Sequence, residues 1–163
     1  MKDILLAATA YNLWANKRLA NVLRTLTSEQ LQQTGTGSFP TIEKTMEHLW
    51  FAENIWLQRL QLAEQIIDPR ETASLLFEEN LNAWLSCSAD LHAWVKTLQD
   101  EQGCTHVFHY RTIKGDLCKS KVWECIQHVM NHGSFHRGQL VNKLREVGIT
   151  TIPATDFIVY SRE

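Results

Sequence analysis

The sequence predicts an all-α protein, a four-helix bundle. Three observations carry that expectation. Four long segments place apolar residues at steps of three and four, capping or breaking residues stand at their ends, and most of the links between them are short. A chain of 163 residues buries about 70% of the surface it exposes when unfolded, so residues 1–163 are expected to form a single domain with a full core.

The first helix is expected from about Asp3 to Leu26. Ile4, Ala8, Tyr11, Ala15, Leu19, Val22 and Leu26 form one stripe, and Asp3 suits the positive end of the helix dipole. A breaker-rich loop, Thr34 to Pro40, follows. Thr41 can cap a second helix running to about Ala63, with Ile42, Met46, Leu49, Trp56 and Leu60 as its stripe. Glu53 lies inside that stripe, an odd place for a carboxylate, and His48 lies at its flank beside Ala52 and Ile55. Asp68-Pro69-Arg70-Glu71 reads as N-cap, N1 proline and capping-box glutamate, which starts a third helix over 69–99. Between Gly103 and Lys121 the residues favour extended structure around a Lys114-Gly115-Asp116 turn, so a short hairpin is expected there. The fourth helix is expected over 121–147, ended by Gly148. The tail, Ile149 to Glu163, is too β-branched and proline-interrupted for a fifth helix.

Composition excludes several classes of function. Sixteen basic and eighteen acidic residues give a net charge of −2, with no footprint for a phosphate backbone, so no nucleic-acid partner is expected. Six Trp, six Phe and three Tyr argue against disorder. The charge-free stretch Ile4 to Asn16 falls short of the ~18 apolar residues a span needs, and Asp3 spoils a signal-peptide n-region. A cytoplasmic protein without a membrane partner is therefore expected. Cys87, Cys104, Cys118 and Cys125 contain no C-x-x-C pair and are expected to be free thiols. Six Trp and wide apolar faces exceed one bundle seam, which points to a homodimer.

The fourth helix carries the chemistry. His128, His132 and His136 are spaced by four, so neighbours stand about one turn, ~6 Å, apart and can share a metal ion, whereas the outer pair cannot. Helix phase turns His128 towards water and leaves His132 and His136 at the edge of the apolar stripe. A third ligand must come from another element: His48, His92, His106 or His109, with His48 slightly favoured. Each of these, taken singly, is equally explained as a histidine bonded to backbone or water. Three imidazoles would leave positions open, as catalytic rather than structural metal sites do. There is no H-E-x-x-H, no E-x-x-H, no phosphate-binding glycine loop and no G-x-S-x-G. Arg137, like Glu53, falls inside an apolar stripe and should be buried and paired, with Glu53 or with Asp156. Gly133 faces the core, where a missing side chain permits close helix approach.

The run His128 to Gln139, reading H-x-x-N-H-x-x-x-H-R-G-Q, resembles the signature of the DinB/YfiT-like family of metal-binding bundles. Tyr11 to Asn16, Thr41 to Arg59, and the tail with Gly148, Pro153 and Asp156 to Tyr160 resemble the same family. The resemblance implies an up-down-down-up bundle and a divalent metal held by His48, His132 and His136, with His128 outside the ligand set. It also implies dimers, and either a metal-dependent enzyme (a thiol S-transferase or a hydrolase, acting on a small molecule or thiol) or a non-catalytic bundle with a structural or sensory metal. Zn, Ni and Fe all suit three imidazoles.

Overall fold

Each periodic segment is a helix, and each differs from its expected span in an informative way. The computed structural model describes residues 1–74 and 76–163. In chain order these form α1 (Lys2–Leu23), α2 (Ser28–Gln32), α3 (Ile42–Leu60), a 3-10 turn (Pro69–Thr72), α4 (Phe77–Thr97), α5 (Glu101–Thr105), β1 (Val107–Arg111), β2 (Leu117–Lys121), α6 (Val122–Glu146) and α7 (Phe157–Tyr160).

The first helix stops at Leu23 instead of Leu26 because Thr27 opens a helix of its own. Its hydroxyl accepts from Gln30 N while Gln30 Oε1 accepts from Thr27 N, a complete capping box. Thr41 caps α3 as expected, accepting from Lys44 N at 3.1 Å. That helix ends at Leu60, not Ala63. Leu62 takes a left-handed φ of 57°, and Ala63 N reaches back to Gln58 O at 3.0 Å, so a leucine fills the place glycine usually takes in such an ending.

The third helix does not begin at Pro69. The Asp68 signal is local: its carboxylate accepts from Arg70 N at 2.9 Å and pairs with the Arg70 guanidinium at 2.5 Å, capping one 3-10 turn. Asn80 then holds the backbone of Ser74 at both its N–H and its carbonyl, 2.8 Å each, before α4 starts at Phe77. Residue 75, within the expected helix, lies outside the described residues. The expected hairpin is present, β1 pairing with β2 antiparallel in the register Val107 to Lys121 and Arg111 to Leu117. Gly115 (φ 91°) makes its turn. Gly148 (φ 87°) follows α6 as expected. The tail holds one short helix, α7, which the β-branched sequence did not suggest; the Tyr11 ring meets Phe157 edge-on and Tyr160 at a tilt, and its hydroxyl donates to Thr155 O at 2.6 Å.

Hydrogen bonds between helix ends set their directions. Lys2 meets Leu98 O, and Arg24 meets Glu78 and Asn82, so α1 and α4 are antiparallel. Lys143 Nζ reaches Pro40 O, so α6 ends where α3 begins. Gln30, just after α1, bonds Val147 O, so α1 and α6 are parallel. The order is therefore up-down-down-up. Between the four helices a continuous cluster is fully buried, including Leu19, Leu23, Ile42, Met46, Leu81, Trp84, Leu91, Ile126, Leu140 and Leu144. Each large apolar side chain so buried contributes about 1.5–3 kcal/mol. No described helix is long and apolar enough to cross a membrane.

The two misplaced charges sit in that core, Glu53 at 4% and Arg137 at 3% exposure. Their pairing is indirect, which corrects the expected contact with Glu53 or Asp156. Arg137 Nη1 donates to Asn12 Oδ1 (2.6 Å) and Asn16 Oδ1 (3.0 Å), and Nη2 donates to Ser134 Oγ (3.1 Å). Asn12 Nδ2 donates in turn to Glu53 Oε1 at 2.7 Å, so an amide mediates between the two charges. Ser88 donates to the other carboxylate oxygen at 2.9 Å and accepts from Asn16 at 3.0 Å. A neutral amide with a donor and an acceptor satisfies both ions at once and adds no third charge to desolvate. Burial still pushes the Glu53 carboxyl up to about 7, against the opposing pull of Ser88, Arg137 and Asn12.

Gly133 sits beside this network. A Cβ there would lie 3.0 Å from Arg137 Nη1 and 3.2 Å from Asn12 Oδ1, whereas one at Gly138 would meet nothing within 4 Å. Gly133→Ala is expected to lower stability by about 1–3 kcal/mol, while Gly138→Ala is neutral or stabilising by roughly 0.5–1 kcal/mol. Urea midpoints of the two variants, at unchanged m-value, check the contrast.

Candidate metal centre

Antiparallel packing of α3 on α6 decides which histidines meet. His132 and His136 lie one turn apart on α6, and His48 comes from the second turn of α3. The three ring centroids are 4.4 to 4.9 Å apart, and one ligating nitrogen from each lies within 4.8 Å of the other two. His48 Nε2 and His132 Nε2 are 3.0 Å apart. Two imidazole nitrogens on one ion, at roughly 2.0–2.1 Å each, stand about that far from one another. The donor set and its spacing fit a divalent metal.

His136 is oriented from behind. Its Nδ1 bonds Gln139 Oε1 at 2.9 Å, which makes Nδ1 the protonated nitrogen and leaves Nε2 free to ligate. Gln139 Nε2 donates to Ser38 Oγ at 2.9 Å, joining α6 to the glycine-proline loop. That loop is more than a linker. Glu146 accepts from Thr36, Lys143 holds Pro40 O, and Phe39 is stacked on the His48 ring at 4.2 Å with His136 at 5.6 Å. The sequence reading missed Gln139, Ser38 and Phe39 as site residues. The i,i+3 spacing of His136 and Gln139 on one helix face was a visible signal for the first; only folding places the loop.

Burial lowers all three imidazoles. His48 falls to about 4, through desolvation and then repulsion from His136 and Arg70. His132 also falls to about 4, through desolvation and then its neighbours His136, His48 and His128. His136 is lowered by desolvation and partly restored by Gln139. All three are therefore neutral at neutral pH, the form that ligates.

The remaining histidines go elsewhere. His128 is exposed, its ring edge-on to Trp56 at 5.1 Å. His92 Nδ1 bonds Thr9 Oγ1 at 2.9 Å. His106 precedes the hairpin, and His109 is exposed on β1. Among the described residues no further His, Cys, Asp or Glu joins the triad. The four cysteines are free thiols, and burial pushes Cys125 up to about 11 and Cys87 higher still, so both stay protonated.

The molecule is an up-down-down-up four-helix bundle with three histidines grouped on its second and fourth long helices. The DinB family model matches residues 1–162, and the chain belongs to that family. It is 28% identical over 169 residues to Protein DinB of Bacillus subtilis, covering 98% of this chain and 95% of that one. A DinB-like protein of Bacillus cereus has the same fold, with a TM-score of 0.69 at 16% identity over 92% of this chain and 94% of the other. YfiT of Bacillus subtilis, described as a probable metal-dependent hydrolase with an unusual four-helix bundle topology, matches with a TM-score of 0.68. Its identity is 13%, over 91% of this chain and 89% of YfiT.

The lowered imidazoles set a pH dependence. His48 and His132 titrate near 4 when folded and near 6.5 when unfolded, so the unfolded chain binds more protons between those values and stability falls as pH drops through that window. Glu53 acts oppositely: its raised folded value favours the native state as pH falls from about 7 towards 4.5. The metal-free protein is therefore expected to lose melting temperature from pH 6.5 to 4. A His48→Asn/His132→Asn double variant should lose less over the same range, the remaining loss coming from His92, His128 and His136, which burial also lowers.

Proposed function

We propose that His48, His132 and His136 hold a divalent metal ion, and that the protein is a metal-dependent enzyme of hydrolase or thiol S-transferase type. The observation that carries this reading is the convergence of three neutral imidazoles with no fourth described ligand, the donor set of an open site rather than a closed structural one. When bound there, such an ion supplies Lewis acidity, enough to acidify a water or thiol near neutral pH. Zn, Ni and Fe all suit three imidazoles.

The chain's own residues do the rest. Gln139 fixes the His136 tautomer, and Phe39 stacks on one face of the His48 ring. Of the two reaction types, hydrolysis has the added support of the description given to the structurally similar YfiT. A purely structural metal would need the triad closed by a fourth protein ligand.

Metal analysis of protein purified without chelators tests the proposal. Single Ala variants of His48, His132 and His136 are expected to lose the ion while staying folded, and His128→Ala to keep it. Gln139→Leu is expected to weaken metal affinity by about 10–100-fold. The visible spectrum of the cobalt-loaded protein should shift on adding azide or a small thiol; an unchanged spectrum would favour the structural alternative. A homodimer belongs to the same reading, supported by exposed Ile4, Phe135, Phe157 and Ile158. Light scattering is expected to return twice the chain mass.

A further inference from the structure

Arg59, in the last turn of α3, is 8% exposed yet has no counter-charge among the described residues. Its guanidinium carbon lies 4.7 Å over the Trp56 ring and 5.3 Å over Tyr110. Nε is buried without any hydrogen-bond partner. The ionisable groups around it are the Tyr110 phenol, the Cys125 and Cys118 thiols and the His128 imidazole, not carboxylates, and desolvation is the main influence on the guanidinium. The helix C-terminus and two aromatic faces explain why a cation is tolerated here. They do not supply acceptors for the N–H groups along the guanidinium edge, which is the part that recognises oxyanions in two-pronged fashion.

Arg59 lines a cleft of about 690 Å³ between α3, the segment after it and the β-hairpin. Phe51, Ile55, Tyr110, Ile113 and Leu117 supply apolar walls. Of the other charges, Arg70 is already neutralised by Asp68, exposed Arg111 bonds Gly115 O at 2.8 Å, and Glu64 is exposed at the edge. The cleft adjoins the histidine triad through Phe51, whose ring is 6.2 Å from that of His48.

We propose that this cleft is the substrate subsite, and that Arg59 binds an anionic group, a carboxylate or a phosphate, on a partly apolar molecule whose reacting end reaches the triad. The word substrate rests on the metal reading above; the anion site does not.

Calorimetric titration of the full chain with succinate and, separately, inorganic phosphate tests it, using zinc-loaded wild type, Arg59→Gln and Arg59→Lys, and metal-free His132→Asn. At least one anion is expected to bind, and the tighter of the two identifies the head group. Arg59→Gln should weaken that binding at least about tenfold, with Arg59→Lys between, since lysine keeps the charge and loses the planar fork. His132→Asn should bind within twofold of wild type. Equal binding by Arg59→Gln, loss of binding in His132→Asn, or no binding by wild type would each overturn the proposal. Should Arg59→Gln fail to fold, Arg59→Lys decides on the same terms. A chain that took up no zinc would contradict the metal reading and leave this titration readable.

Discussion

A carboxylate and a guanidinium share the dry centre of this bundle without touching. Asn12 stands between them, and every long helix contributes to the link: Asn12 and Asn16 from α1, Glu53 from α3, Ser88 from α4 and Arg137 from α6. Apolar packing tolerates small slips of one helix on another, because Leu against Leu is much the same a turn away. A polar network does not. Shifting any of the four helices by a turn would strip Glu53 or Arg137 of at least one hydrogen-bond partner in the core, at a cost of about 1–3 kcal/mol for each bond lost. The network therefore sets the helix register, and Gly133 leaves room for it.

That register is also the register of the histidine triad. Arg137 follows His136 directly in the chain, and Asn12, Glu53, His132 and Gly133 line one small internal space. Fixing Arg137 and Glu53 fixes the rotation of α6 and α3, and so aims His132, His136 and His48 at one point. Gln139 and the loop carrying Ser38 and Phe39 then refine a geometry that the core has already set. A triad mounted on two helices, with its orienting bond on one of them, has its three imidazoles held in place by the fold itself.

Topology does a second job. Because α3 and α4 run the same way, the chain between them must travel back along the bundle, and it does so beside α3: Gln58 bonds Ile67, and Arg70 sits 3.8 Å over the Phe51 ring. The hairpin inserted before α6 closes the opposite side, with Tyr110 against Trp56. The cleft next to the triad is thus a by-product of the up-down-down-up order. An ordinary antiparallel bundle with short loops would have no such wall.

The sequence by itself determined the four helices, the hairpin, the Thr41 cap, the Gly148 ending and the singling out of Glu53, Gly133 and Arg137, since all of these follow from periodicity, capping chemistry or the cost of burying charge. Spacing also picked out His132 and His136, because a helix repeats each turn wherever it lies. Tertiary structure alone decided the rest. Asp68 capped a 3-10 turn instead of α4, holding both the N–H and the guanidinium of Arg70, because a cap signal marks where a helical turn starts and not how many turns follow. The partners of Arg137 could not be read because amides at positions 12 and 16 look like any surface asparagine until α1 packs on α6. His48 met the α6 pair, and His92 did not, for the same reason: the period of a helix tells which residues share its face, but only packing tells what that face meets.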